Sequence, residues 1–198
     1  MKKAFEIIDK DMIQDILNSA SYGTLALCID NKPYSLPINF VEVNDEIFFH
    51  GAKKGKKISI LKENANASFC VVEDYSLLPS YFSNDKGDAC PATHLFKSVI
   101  IDGQIKFIED YDEKSNALEL LMQKLQKEGN YIPLNNERYK KMIDATALFK
   151  LVSNKTTAKF KFGQNFTKDR FQRVCEHLEK RGTQKDLETL ELMKFFYK

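Results

Sequence analysis

Apolar positions along the chain change their period several times. Met12, Ile13, Ile16 and Leu17 fall on one helical stripe after Asp9, a residue that caps helix starts well, and Tyr22-Gly23 ends the stripe. A helix lying on a core is predicted there. From Gly23 to Asp74 the runs become short and rich in aromatic or β-branched residues: "GTLALCI", "PYSLPINFV", "EIFFH" and "ASFCVV", with turn chemistry at "DNKP" and "VND" between them. Four strands are predicted, with residues 56–64 a short helix between the third and fourth. "SVIIDGQIKFI" (98–108) sets Asp102-Gly103 between two apolar runs, the two-residue signature of a hairpin, and "ATALFKLVSNKTTAKFKF" makes a last β segment over 145–162. At least six strands, joined mostly by local connections, predict a mainly β, α+β chain built as an antiparallel barrel or sandwich, not a doubly wound parallel sheet.

Helices interrupt this framework. Ala117, Leu118, Leu121, Met122 and Leu125 form a stripe closed by Gly129, and Thr167 caps a helix that turns Phe171, Val174 and Leu178 inward. A second C-terminal helix is predicted from Thr183, carrying Leu187, Leu190 and Met193. Residues 1–166 are therefore read as one domain, and 167–198 as a helical extension packed on it or on a partner subunit. Residues 75–95 carry Pro79, Gly87 and Pro91 without a clear period, and read as a long loop.

Composition narrows the function. The 198 residues hold 30 Lys+Arg against 28 Asp+Glu, a net +2, which argues against coating nucleic acid or an anionic membrane and makes any anion site local. The C-terminal helices share this near balance, which gives little support to DNA binding. No apolar run approaches the ~18 residues of a membrane span, and the N-terminus turns polar before a signal-peptide core develops, so a cytoplasmic protein is expected. Cys28, Cys70, Cys90 and Cys175 lie far apart with no C-x-x-C pair, and are expected to be reduced, mostly buried thiols.

One stretch stands out chemically. "FFHGAKKGKKISIL" (48–61) places Lys53, Lys54, Lys56 and Lys57 between a strand and the start of a helix, where the helix dipole favours acidic residues. Lysines there make sense if an anion sits with them. Gly51 and Gly55 let backbone approach a ligand, and N–H groups at a helix start can hold a phosphate. "GAKKGKK" is one residue short of a Walker A loop and lacks its Ser/Thr, no dinucleotide glycine pattern is present, and no H-E-x-x-H or paired metal motif accompanies His50, His94 and His177. Nor does a Ser or Cys nucleophile stand in a known motif. His50, at the last position of its strand, is either a satisfied core residue or part of a pocket; the adjoining glycines favour the pocket.

Taken in order, "YGTLAL" (22–27), "PYSLPINFVEVNDEIFFHGAKKGKKISILKENANASFCV" (33–71) and "KSVIIDGQIKFIED" (97–110) resemble the pyridoxamine 5'-phosphate oxidase-like flavoproteins, and within them the branch named for nitroimidazole resistance. The resemblance covers roughly residues 5–128; "KFKFGQN" near the C-terminus is similar to a closing motif more loosely. It implies a six-stranded antiparallel split β-barrel with C-terminal helices, a homodimer, and FMN in a cleft at the dimer interface. By the same resemblance Pro37, Ile38 and Asn39 line the flavin ring, His50, Gly51 and Ala52 lie along the ribityl chain and ring edge, and Lys56 and Lys57 meet the phosphate. Ser98 joins the cofactor contacts. Lys97 stands where relatives often carry arginine, which removes a bidentate fork.

A flavin would supply hydride and electron transfer that no protein group here offers. The leading expectation is an FMN-dependent reductase or oxidase of a small aromatic or nitroaromatic compound, with His50 as the catalytic candidate. The alternatives are a haem-binding or haem-degrading split barrel and a non-catalytic flavin-sensing regulator.

Overall fold

The computed structural model describes residues 2–197. β1 (Glu6–Ile7) and α1 (Lys10–Ser19) open the chain, and two tight hairpins follow. β2 (Tyr22–Ile29) and β3 (Lys32–Asn39) turn on Asp30 and Asn31, at φ +49° and +59°, and β4 (Val41–Val43) and β5 (Glu46–Gly51) turn on Asn44 and Asp45, at +53° and +65°. Asn and Asp tolerate this left-handed backbone, which matches the twist of the flanking strands. Then come α2 (Lys56–Glu63), β6 (Asn66–Leu78), β7 (Thr93–Ile108), α3 (Tyr111–Leu125), α4 (Lys140–Ala145), β8 (Ala147–Lys161), α5 (Lys168–Arg181) and α6 (Gln184–Phe196). The strand order is β3-β2-β6-β7-β8-β5-β4, with β1 added along β8. Among the described residues no helix is long and apolar enough to cross a membrane.

The fold is mainly β with helices, as the sequence predicts, but the described residues form eight strands and not six. The segment "PYSLPINFV" is two strands, not one. Phe40 is fully buried edge-on against Phe69, and at this corner the chain leaves its pairing with β2 and begins pairing with β5. Asp102-Gly103 is no hairpin: both lie inside the 16-residue β7, where burial alternates without a break from Ile101 to Ile105. Gly103 is needed there because a Cβ would strike the carbonyl of Val152. The expected loop at 75–95 is shorter, since β6 continues to Leu78 and β7 begins at Thr93.

Two compact units make up the chain. One comprises Asp11–Val71 and Val99–Thr156; the other comprises the residues through Lys10, Val72–Ser98, and those from Thr157 onward. In the first, Leu25, Phe40, Ile47, Phe49, Phe69, Phe149 and Leu151 are sealed from solvent between the strands, and β3 and β5 come into contact. A second apolar cluster in the same unit joins Val41, Phe48 and Leu148 to Leu118 and Leu121 of α3 and Ile143 of α4. In the other unit α5 starts at the Thr167 cap and α6 at a full capping box formed by Thr183 and Asp186, as the two threonines predict.

Candidate functional site

The turn from β5 into α2 is built for an anion. Gly55 caps the helix at φ +111°, a backbone that side chains rarely adopt, and offers no side-chain acceptor to the first N–H groups. The first turn holds no acidic residue; Lys56 and Lys57 occupy it instead. Orphan N–H groups and the positive end of the helix dipole thus coincide with two ammonium groups.

The four lysines separate by position. Lys57 turns back over the strands, its ammonium 4.7 Å from the centre of the Phe149 ring and 5.3 Å from that of Phe49. It occupies the space that a Cβ at Gly51 would fill. Burial lowers its pKa, and no carboxylate among the described residues pairs with it. Lys56 lies over Tyr34 of β3 at 4.4 Å. Lys53 is not free in solvent, as its place before Gly55 suggests: its ammonium donates to the carbonyl of Asp144 at the end of α4. Lys54 has no partner group of this kind among the described residues.

His50 pairs with Leu148 across β5 and β8 and, by strand alternation, faces the side opposite Phe49 and Gly51. It stands at the rim of a cavity of about 200 Å³ walled by Leu118, Leu121 and Met122 of α3 and by Tyr139, Met142 and Ile143 around α4. Burial, and then the charge of Lys57, push its imidazole below the ordinary histidine value, so at neutral pH the ring is uncharged and one nitrogen can accept a proton. This wall lies outside the residues that the sequence singles out as a site. Its signal was present in Tyr139, Met142 and Ile143, at helical spacing in a stretch otherwise polar.

Pro37, Ile38 and Asn39 end β3, the first strand in the sheet order; Pro37 and Asn39 are exposed, and the Asn39 amide donates to the Ser21 carbonyl at 2.7 Å. Prolines suit such an edge. The residues from Pro37 to Lys57 belong to one unit, whereas Ser98 is half-buried on β7 and belongs to the other. Beside it, Lys97 pairs with Glu73 at 3.7 Å and lies over Tyr75. The four cysteines are free thiols, but none is fully buried: Cys28 and Cys90 are exposed, Cys70 and Cys175 half-buried. Cys28 lies on an outward position of β2 and Cys90 in the irregular run before β7, and so a reduced state says nothing about depth. Among the described residues no three His, Cys, Asp or Glu side chains gather as metal ligands.

The family model described as pyridoxamine 5'-phosphate oxidase matches residues 9–160, most of the chain. No curated protein matches. Among solved structures, a protein assigned to 5-nitroimidazole antibiotic resistance from Bacteroides thetaiotaomicron is similar at TM-score 0.64 and 24% identity, over 78% of this chain and 85% of that one. The FAD and heme binding protein from Mycobacterium smegmatis gives 0.65 and 20%, over 79% and 73%. The flavocytochrome Anf3 from Azotobacter vinelandii gives 0.65 and 18%, over 81% and 72%. At these identities the structural similarity establishes the fold. The strand-to-helix turn with its glycines and lysines lies inside the matched residues, and the chain belongs to the pyridoxamine 5'-phosphate oxidase family.

Proposed function

We propose that the chain binds FMN through the amino end of α2 and works as an oxidoreductase on a small aromatic or nitroaromatic compound, as a homodimer. One observation carries the binding part: a half-buried ammonium, Lys57, with no carboxylate to meet it, set at an uncapped helix start with Lys56 beside it. Shielding a charge without a partner is costly, and a phosphate dianion at this turn would offset the cost. Lys56, Lys57 and the first N–H groups of α2 would hold the phosphate; Gly51 and Ala52, and the chain at Pro37–Asn39, would flank the rest of the cofactor. Bound flavin supplies hydride and electron transfer. The protein's own part is to fix the phosphate and to keep His50 neutral at the rim of an apolar cavity, where it can accept or return a proton.

The family and the names of two of the similar structures, one FAD- and heme-binding and one a flavocytochrome, support a flavin, and the first of these also names a heme. A haem reading draws on a second observation, the uncharged imidazole of His50 beside an apolar wall. The visible absorption spectrum of the purified protein separates the two, because flavin and haem absorb in different bands. The deciding measurement is FMN against riboflavin: FMN is expected to bind about ten to a hundred times more tightly. Equal affinity would remove the phosphate site.

A further inference from the structure

The second unit contains a cavity that the flavin reading does not use. It measures about 390 Å³ and is lined by four cations, Lys2, Lys159, Lys161 and Arg170, with no Asp or Glu. It shares no residue with the turn between β5 and α2. Lys159 and Lys161 alternate with Phe160 on β8 and so share one face; Arg170 comes from the first turn of α5.

In a chain of net charge +2, four cations around one space call for a reason. Elsewhere in the same unit Lys97, Arg173, Arg181, Lys185 and Lys194 each meet a carboxylate. Among the described residues Lys159, Lys161 and Arg170 make no ion pair, and the one acidic neighbour in the strand register is Glu6, opposite Lys159. Arg170 donates from Nε to Ser83 Oγ and from Nη2 to the Pro91 carbonyl, both at 3.1 Å, which leaves Nη1 unused. Lys161 donates to Thr93 Oγ1, one bond where an ammonium can make three. Lys159 lies over the rings of Phe5 and Phe96 and makes no hydrogen bond among the described residues. Burial, together with the charges of Lys159 and Arg170, lowers the Lys161 pKa, as expected of cations held close together. Phe5 and Phe166 add flat apolar surface, and the guanidinium of Arg170 stacks on Phe166 at 3.9 Å.

We propose that this cavity is a binding site for a small organic polyanion, one carrying two or more phosphate or carboxylate charges. The aromatic floor takes its organic body, and Lys159, Lys161 and Arg170 take the charges. Such a ligand is of ordinary size for a space of this volume.

The test is calorimetric titration of the full chain, with and without FMN, using ADP, adenosine and citrate. ADP is expected to bind and adenosine not; binding of citrate in place of ADP would assign the charges to a carboxylate source and still support the site. Lys161→Gln and Arg170→Gln are each expected to weaken the bound anion about tenfold and to leave FMN affinity unchanged. Lys159→Gln, which removes no hydrogen bond, keeps the test valid if the other two fold poorly. A second readout is local: Cys90 is exposed and lines the cavity, so the anion should slow its alkylation while leaving that of Cys28, the other exposed thiol, unchanged. The proposal is overturned if neither ADP nor citrate binds, if the substitutions leave their binding unchanged, or if they weaken FMN by the same factor, which would make the cavity part of the flavin site.

Discussion

Lys57 and Lys53 carry the same charge and lie four residues apart, yet their surroundings predict opposite behaviour. Lys57 is half-buried over Phe149 without a counter-ion, so its removal takes away a phosphate contact and no native ion pair. Lys57→Ala is expected to weaken FMN by about one to two orders of magnitude, the equivalent of roughly 1.5–3 kcal/mol, without lowering the melting temperature. Lys53→Ala removes a hydrogen bond to Asp144 and should instead lower stability slightly and leave FMN binding nearly unchanged. Equal losses of FMN affinity in the two variants would mean a diffuse field and no localised phosphate site. Gly51→Ala tests the same arrangement from the strand side: its methyl would displace the Lys57 ammonium, and FMN binding should fall while the circular dichroism spectrum is kept. At this scale the sequence exposes the glycines and lysines because their chemistry is local. It does not expose the partner of Lys53, since Asp144 is 91 residues away, nor which face of β5 His50 takes, since that depends on α3 and α4 covering one side.

Between elements, a buried carboxylate and a half-buried ammonium set the pH response. Asp186 of α6 receives Arg181, Ser76 and Thr183; the Arg181 guanidinium above all holds its carboxyl well below the usual aspartate value, against the opposing effect of burial. Below the ordinary 3.8 the unfolded carboxyl binds a proton that the folded one refuses, so stability present above that value is lost as the pH falls. Asp186→Ala should cost about 2–3 kcal/mol, read from the urea midpoint at neutral pH, and Asp186→Asn should flatten the acid limb. Lys124 of α3 works in the other direction. Its ammonium donates to the Leu17 carbonyl of α1 at 2.7 Å and lies 3.6 Å over Phe40; burial, only partly opposed by Glu42, brings it down to about 8 from 10.5. In that interval the unfolded chain holds the extra proton, so this group makes stability rise with pH, and Lys124→Met should abolish the rise in thermal melts recorded across it. The elements themselves were readable where signals were local: the two Asn/Asp turns, the Thr167 and Thr183 caps and the 3.6-residue stripes. Asp102-Gly103 misleads because a glycine required by a close neighbouring strand has the same letters as one required by a turn. The bend at Phe40 is invisible for a related reason, since a buried phenylalanine looks the same in a straight strand as at a corner.

At the scale of the whole molecule, β3 contains no fully buried residue although Tyr34, Leu36 and Ile38 alternate along it, and Tyr22 beside it is 63% exposed. An edge of this kind is normally covered, and a second copy of the chain is the cover that the proposed function requires. Sedimentation equilibrium with FMN present is expected to give twice the 22.9 kDa chain mass; a monomer that keeps FMN tightly would refute the dimer. The pairing of β1 with β8 has a further bearing, on how the protein is made. Glu6 lies opposite Lys159 and Ile7 opposite Ala158, so β1 leaves the ribosome about 150 residues before the part of β8 it pairs with. At about 5–20 residues per second it waits roughly 8–30 s for that partner. Through that interval the nascent chain presents the exposed, apolar Ile8 and the uncovered ring of Phe5, which makes the segment around β1 a natural place for a chaperone to hold.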